Sequence, residues 1–87
     1  MKAFNYTVRE KYGIHARPAA LLAGESQKYN CKITISFNGQ TADASDAVAV
    51  MGMNIKLGDM IRMEVAGREE NLAYAGLQNF LLNSPDF

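Results

Sequence analysis

Between Cys31 and Phe37 the chain alternates without a break. Cys31, Ile33, Ile35 and Phe37 fall on one side, and Lys32, Thr34 and Ser36 on the other. Only extended backbone places residues two apart on one face, so this stretch predicts a strand with one buried side. Asn38-Gly39 follows at once, and both residues tolerate the positive φ of a type I′ turn, which predicts a hairpin returning through Gln40 to Asp43. A lone hairpin is marginally stable in water, so the rest of the chain must supply more strands and a cover for the apolar face.

Two further segments share the two-residue period. Phe4, Tyr6 and Val8 oppose Ala3, Asn5 and Thr7 near the start, and Ile61, Met63 and Val65 oppose Arg62 and Glu64 within Met60 to Ala66. The segments between them read as helices. From Ala16 to about Tyr29, small and unbranched residues set Pro18, Leu22, Ser26 and Tyr29 near one stripe, while Ala20 and Leu21 point elsewhere. Ser45 or Asp46 caps a short helix running to about Met53, with Asn54 suited to a left-handed stop, and Gly58-Asp59 supplies a turn. Glu69 and Glu70 suit a first helical turn, and Ala73, Leu77, Phe80 and Leu81 continue at helical spacing. Gly76 inside that helix should cost ~1 kcal/mol relative to alanine unless it permits close packing. The resulting order, β-α-β-β-α-β-α, predicts an α+β fold: a four-stranded, mostly antiparallel sheet with helices on one face.

With 87 residues, 48% of them hydrophobic, one core is affordable and a second is not, so residues 1–87 are expected to form a single domain. Nine basic and nine acidic residues cancel, which leaves no global field to draw the chain onto nucleic acid or anionic lipid. The single cysteine forms no internal disulfide, and neither a signal peptide nor a long apolar span is present. A cytoplasmic protein that does not insert into membranes is expected.

The chemistry concentrates in Gly13-Ile14-His15-Ala16-Arg17-Pro18-Ala19-Ala20, which sets the only histidine directly before a helix start. A helix N-terminus presents N–H groups without intrahelical partners, here those of Ala16 and Arg17, and they favour an anion. Arg17 adds a guanidinium fork that matches phosphate oxygens, and Pro18 costs little where its missing N–H would go unpaired. A lone histidine is more often structural than reactive. No Cys/His cluster offers a metal site and no triad spacing is evident, and neither a metal nor a cofactor is expected; the reading of His15 as a phosphorylatable imidazole rests on its local context, the turn at Gly13, the helix start and the Arg17 fork.

These residues resemble the HPr family, the histidine phosphocarriers of the phosphoenolpyruvate-dependent sugar phosphotransferase system. The GIHARPA run matches the family's active-site motif, the Asn38-Gly39 hairpin and the Val50-Met51 region align, and the element order agrees along essentially the whole chain. The resemblance implies an open-faced β-sandwich, its antiparallel sheet covered on one face by three helices. It implies that His15 accepts phosphate on Nδ1 from Enzyme I and passes it to EIIA domains of sugar permeases, with Arg17 steadying the transferred group. It also matches Ala20, Leu21, Gly24, Ala47, Val48 and Met51 to the family's apolar docking face, and it admits a transcriptional regulator as a further partner.

Three departures stand out. Asp46 occupies the position of the regulatory serine of Gram-positive members, where it reads first as an N-cap and second as a fixed charge that weakens docking to Enzyme I. Ser45 beside it is a less favoured phosphorylation site. Tyr12 stands where a small polar residue is common, and Gly52-Met53-Asn54 replaces a common Ser-Leu-Gly. Two other readings are a regulatory paralogue acting as a protein-binding module and a carrier serving a specialised phosphorelay.

Overall fold

The computed structural model describes residues 1–87. Its elements are β1 (Lys2–Thr7), α1 (Ala16–Ser26), β2 (Lys32–Phe37), β3 (Gln40–Asp43), α2 (Ala47–Met51), β4 (Met60–Ala66) and α3 (Glu70–Asn83). The strands form one four-stranded sheet in the order β1-β4-β2-β3, every neighbouring pair antiparallel. The expected elements are therefore present in the expected succession along the chain, in an open-faced α+β sandwich.

Register explains how the sheet acquires two unlike faces. Phe4 pairs with Met63, Met63 with Ile35, and Ile35 with Ala42, which makes one apolar row across all four strands. The next row, Ala3, Glu64, Thr34 and Asp43, points to the opposite side. The apolar face joins Leu22 of α1, Val50 of α2, and Ala73, Leu77 and Leu81 of α3 in one core cluster. Ile35, Ile61 and Met63 are fully shielded there, and side chains of this size contribute about 1.5–3 kcal/mol each when buried.

Two helices are shorter than the sequence predicts. α1 ends at Ser26 with Gln27 as its cap, so Tyr29 lies beyond the helix. The Tyr29 hydroxyl donates to Glu25 Oε2 at 3.0 Å, and its ring lies against Gly76, where any Cβ would collide with the hydroxyl. This tertiary contact ends the helix that local propensity would extend, and it gives Gly76 the packing reason that its helical cost requires. α2 ends at Met51 rather than near Met53, and Asn54 takes the expected left-handed conformation with φ +57°. Cys31 precedes β2 and is partly buried against the core; burial, then the Glu69 and Glu70 carboxylates, push its thiol pKa up.

A histidine on an anion-binding helix start

The segment between β1 and α1 is held at both ends. Val8 N–H donates to Asp59 O at 2.9 Å, and the Phe87 main-chain oxygen accepts from Arg9 N at 2.6 Å and Glu10 N at 3.2 Å. Arg9 also donates through Nη2 to Leu81 O at 3.1 Å and Leu82 O at 2.9 Å, closing the last carbonyls of α3. Gly13 then makes the closest approach in the loop. Its φ is +69°, and an added Cβ would strike the Ile55 carbonyl oxygen and sit 2.7 Å from Lys56 Cα, so only glycine fits. Ile14, 3% exposed, buries its side chain and donates its N–H to Ile55 O at 2.9 Å.

His15 therefore leaves the core on a rigid base and emerges exposed. It is the N-cap of α1, with φ −100° and ψ −159°, and its carbonyl accepts from Ala19 N at 3.0 Å. Its side chain makes no capping hydrogen bond, which leaves the imidazole nitrogens without a cap partner. Pro18 has no N–H, which leaves Ala16 and Arg17 as the first-turn donors.

Arg17 is less simple than its place in the motif suggests. Its Nε donates to Asp86 Oδ1 at 3.2 Å, with 72% of the arginine side chain still exposed. Asp86 lies 69 residues away in sequence, and no local pattern signals it. The tail reaches α1 because Phe87 is 1% exposed and packs on Phe80, with ring centroids 5.5 Å apart.

The residues matched to a docking face divide in the structure. Ala20, Leu21 and Gly24 lie exposed on α1, and Val48 and Met51 on α2, with exposures of 78% and 40% for the latter two. Ala47 is half-buried and packs against the core, so it serves packing at least as much as surface. α1 packs directly on α2. Asp46 is the N-cap of α2, and its Oδ1 accepts from Ala49 N at 3.2 Å. Ser45 Oγ donates to Asp43 Oδ1 at 2.6 Å, and Ser45 N donates to the same oxygen at 2.9 Å. These two bonds, from the hydroxyl first and the N–H second, hold the Asp43 carboxyl below its ordinary pKa.

The widest hollow, about 380 Å³, is lined by Arg9, Glu10 and residues of the tail and includes neither His15 nor Arg17. His15 stands on open surface, which suits chemistry completed inside a protein–protein complex better than capture of a small molecule. No group of three or more His, Cys, Asp or Glu side chains converges as a metal site, and no helix is long and apolar enough to cross a membrane.

Comparison with known proteins decides the family. A family model described as the PTS HPr component phosphorylation site matches residues 2–83. The chain belongs to the HPr family. It is 31% identical over 84 residues to the phosphocarrier protein HPr of Mycoplasma capricolum subsp. capricolum, covering 97% of this chain and 94% of that protein. It is also 31% identical over 81 residues to HPr of Lysinibacillus sphaericus, covering 93% and 92%. A solved histidine-containing phosphocarrier protein of Mycoplasma superposes with a TM-score of 0.90 at 30% identity, covering 94% of this chain and 93% of that one. Phosphocarrier function within the phosphotransferase system follows from this HPr membership.

Proposed function

We propose that His15 is the phosphoryl acceptor, charged on Nδ1 by phosphorylated Enzyme I, which draws on phosphoenolpyruvate, and discharged to EIIA domains of sugar permeases. The observation that carries this reading is the exposed, uncommitted imidazole on an extended cap residue immediately ahead of the Ala16 and Arg17 N–H groups. With its proton on Nε2, the imidazole attacks through the Nδ1 lone pair. A P–N bond forms as the donor's bond to phosphorus breaks, and that bond's electron pair stays with the donor. Negative charge spread over the three phosphoryl oxygens meets the two main-chain donors, the positive end of α1 and the Arg17 guanidinium. Discharge runs the same steps with the roles exchanged.

The surface of Ala20, Leu21, Gly24, Val48 and Met51, with Ala47 at its buried margin, receives the partners. A shallow apolar face containing an adaptable methionine suits brief contact with several proteins. Asp46 caps α2 and also sets a permanent charge of about −1 beside that face, weaker than the ~1.5 to 2 charges of a phosphoserine, so it tunes docking to Enzyme I rather than preventing it. Exchange with these partners places the protein in the cytoplasm. The presence of both His15 and Arg17 favours carrying phosphate over a purely regulatory role.

The test is incubation with phosphoenolpyruvate and Enzyme I. An acid-labile, base-stable phosphoryl group should appear on the wild-type chain and be absent from His15→Ala. Failure of any cognate Enzyme I to label the chain would refute the reading.

A further inference from the structure

Lys11, Tyr12 and His15 form a line of three contacting side chains that the transfer chemistry has not yet used. The Lys11 ammonium lies 4.9 Å from the Tyr12 ring centroid, and the Tyr12 ring meets the His15 imidazole with centroids 6.3 Å apart and planes at 84°. Tyr12 is 70% exposed, so no core packing accounts for where its ring stands. Its backbone is well determined, because Gly13 N donates to Glu10 O at 2.9 Å and closes a turn around Lys11 and Tyr12. Ile14 anchors the other side of the loop in the core, so Tyr12 and His15 emerge as neighbours from one fixed support.

We propose that Tyr12 is a positioning residue for His15. Its ring restricts the imidazole to a narrow set of orientations relative to the α1 start, and Lys11 steadies the ring. Edge-to-face contact between two aromatic rings is favourable, and a cation over an aromatic face adds to the stability of the ring's position. An exposed histidine without a side-chain hydrogen bond would otherwise sample its rotamers freely. Phosphoryl transfer rewards restriction, since the attacking nitrogen must lie in line with the bond being broken. The ring contact acts by geometry, so the phenol hydroxyl is dispensable.

The consequence for transfer rests on His15 being the acceptor, whereas the contact with the imidazole does not. Tyr12→Ser and Tyr12→Phe separate the two. The proposal expects single-turnover transfer from phosphorylated Enzyme I to slow about threefold to tenfold in Tyr12→Ser and to stay near wild type in Tyr12→Phe. In proton NMR spectra of the unphosphorylated chain, the imidazole ring protons should lose their ring-current displacement in Tyr12→Ser and keep it in Tyr12→Phe. Unchanged imidazole resonances in Tyr12→Ser would overturn the proposal, as would equal transfer rates in all three proteins. A wild-type chain that takes no phosphoryl group, yet shows the NMR difference, would leave the ring contact standing and remove the proposed acceptor role instead.

Discussion

The outer surface of α1 and α2 and the open face of the sheet are both turned to solvent, yet they are built from opposite materials. The sheet face is mostly polar through its middle rows, with Met60 and Ala66 exposed at the ends of β4. Asn5, Arg62, Ser36 and Thr41 form one row and Ala3, Glu64, Thr34 and Asp43 the next, with Arg62 and Glu64 3.8 Å apart. The helical surface instead exposes Leu21, Val48 and Met51. α2 has no ionisable residue between its ends and is capped by Asp46, and α1 carries only Arg17 and Glu25. A strand alternates because water takes the face that the core does not need. Apolar side chains left together on a helix surface gain nothing from water, so their retention marks a surface that is covered part of the time.

Charge placed on each face breaks this comparison most directly. Val48→Asp should lower the rate of transfer from Enzyme I at limiting concentration by tenfold or more, whereas Thr34→Asp on the sheet should change it less than about twofold. Equal effects would mean that the two faces do not differ in partner contact. A smaller effect concerns salt. With so few charges on the helical surface, transfer should change less than about threefold between roughly 0.05 and 0.5 M salt, and a steep decline would show steering by charges elsewhere on the protein.

Asp46 sharpens the picture further, because one residue serves both structure and surface. Asp46→Ala should destabilise the fold by about 1 kcal/mol through loss of the cap, as thermal or urea unfolding would show. Asp46→Ser keeps a capping oxygen, so stability should move little while transfer from Enzyme I quickens. An unchanged rate would reduce Asp46 to a cap alone.

The smallest expected effect lies at the edge of the polar face. Asp43 has a depressed pKa in the folded chain, so its bonds to Ser45 contribute in full above the unfolded carboxyl value of about 4 and are lost as pH falls through the lower folded value. Asp43→Asn should therefore lower stability slightly at neutral pH and flatten the acid limb of a stability-versus-pH curve below about pH 4, so that the variant and wild-type curves converge in acid. An unaltered limb would show that this carboxyl does not contribute to acid sensitivity.

What the sequence made legible was local. The β2 alternation and the Asn38-Gly39 turn appear as read, with φ of +53° and +79° at the turn, because period and turn chemistry act within a few residues. His15 and Arg17 were legible for the same reason, since cap, fork and helix start lie within three positions. The strand order β1-β4-β2-β3 was not, because it depends on pairings between distant segments. The end of α1 was misplaced because Tyr29 answers to Gly76 on another helix rather than to its own neighbours. No motif signals Asp86, because the buried Phe87 brings it to Arg17 from the far end of the chain. Tyr12 could be noticed as unusual, but its contact with His15 follows from the turn that Gly13 closes.

In the proposed function, a phosphoryl group on His15 is received by the start of α1. Backbone amide NMR of the chain before and after phosphorylation by Enzyme I measures this directly. The amide protons of Ala16 and Arg17 should make the largest downfield moves, as they take up hydrogen bonds to phosphoryl oxygens, and His15→Ala should show none. Phosphorylation with these two amides unmoved, or with the largest changes on the open face of the sheet, would contradict it.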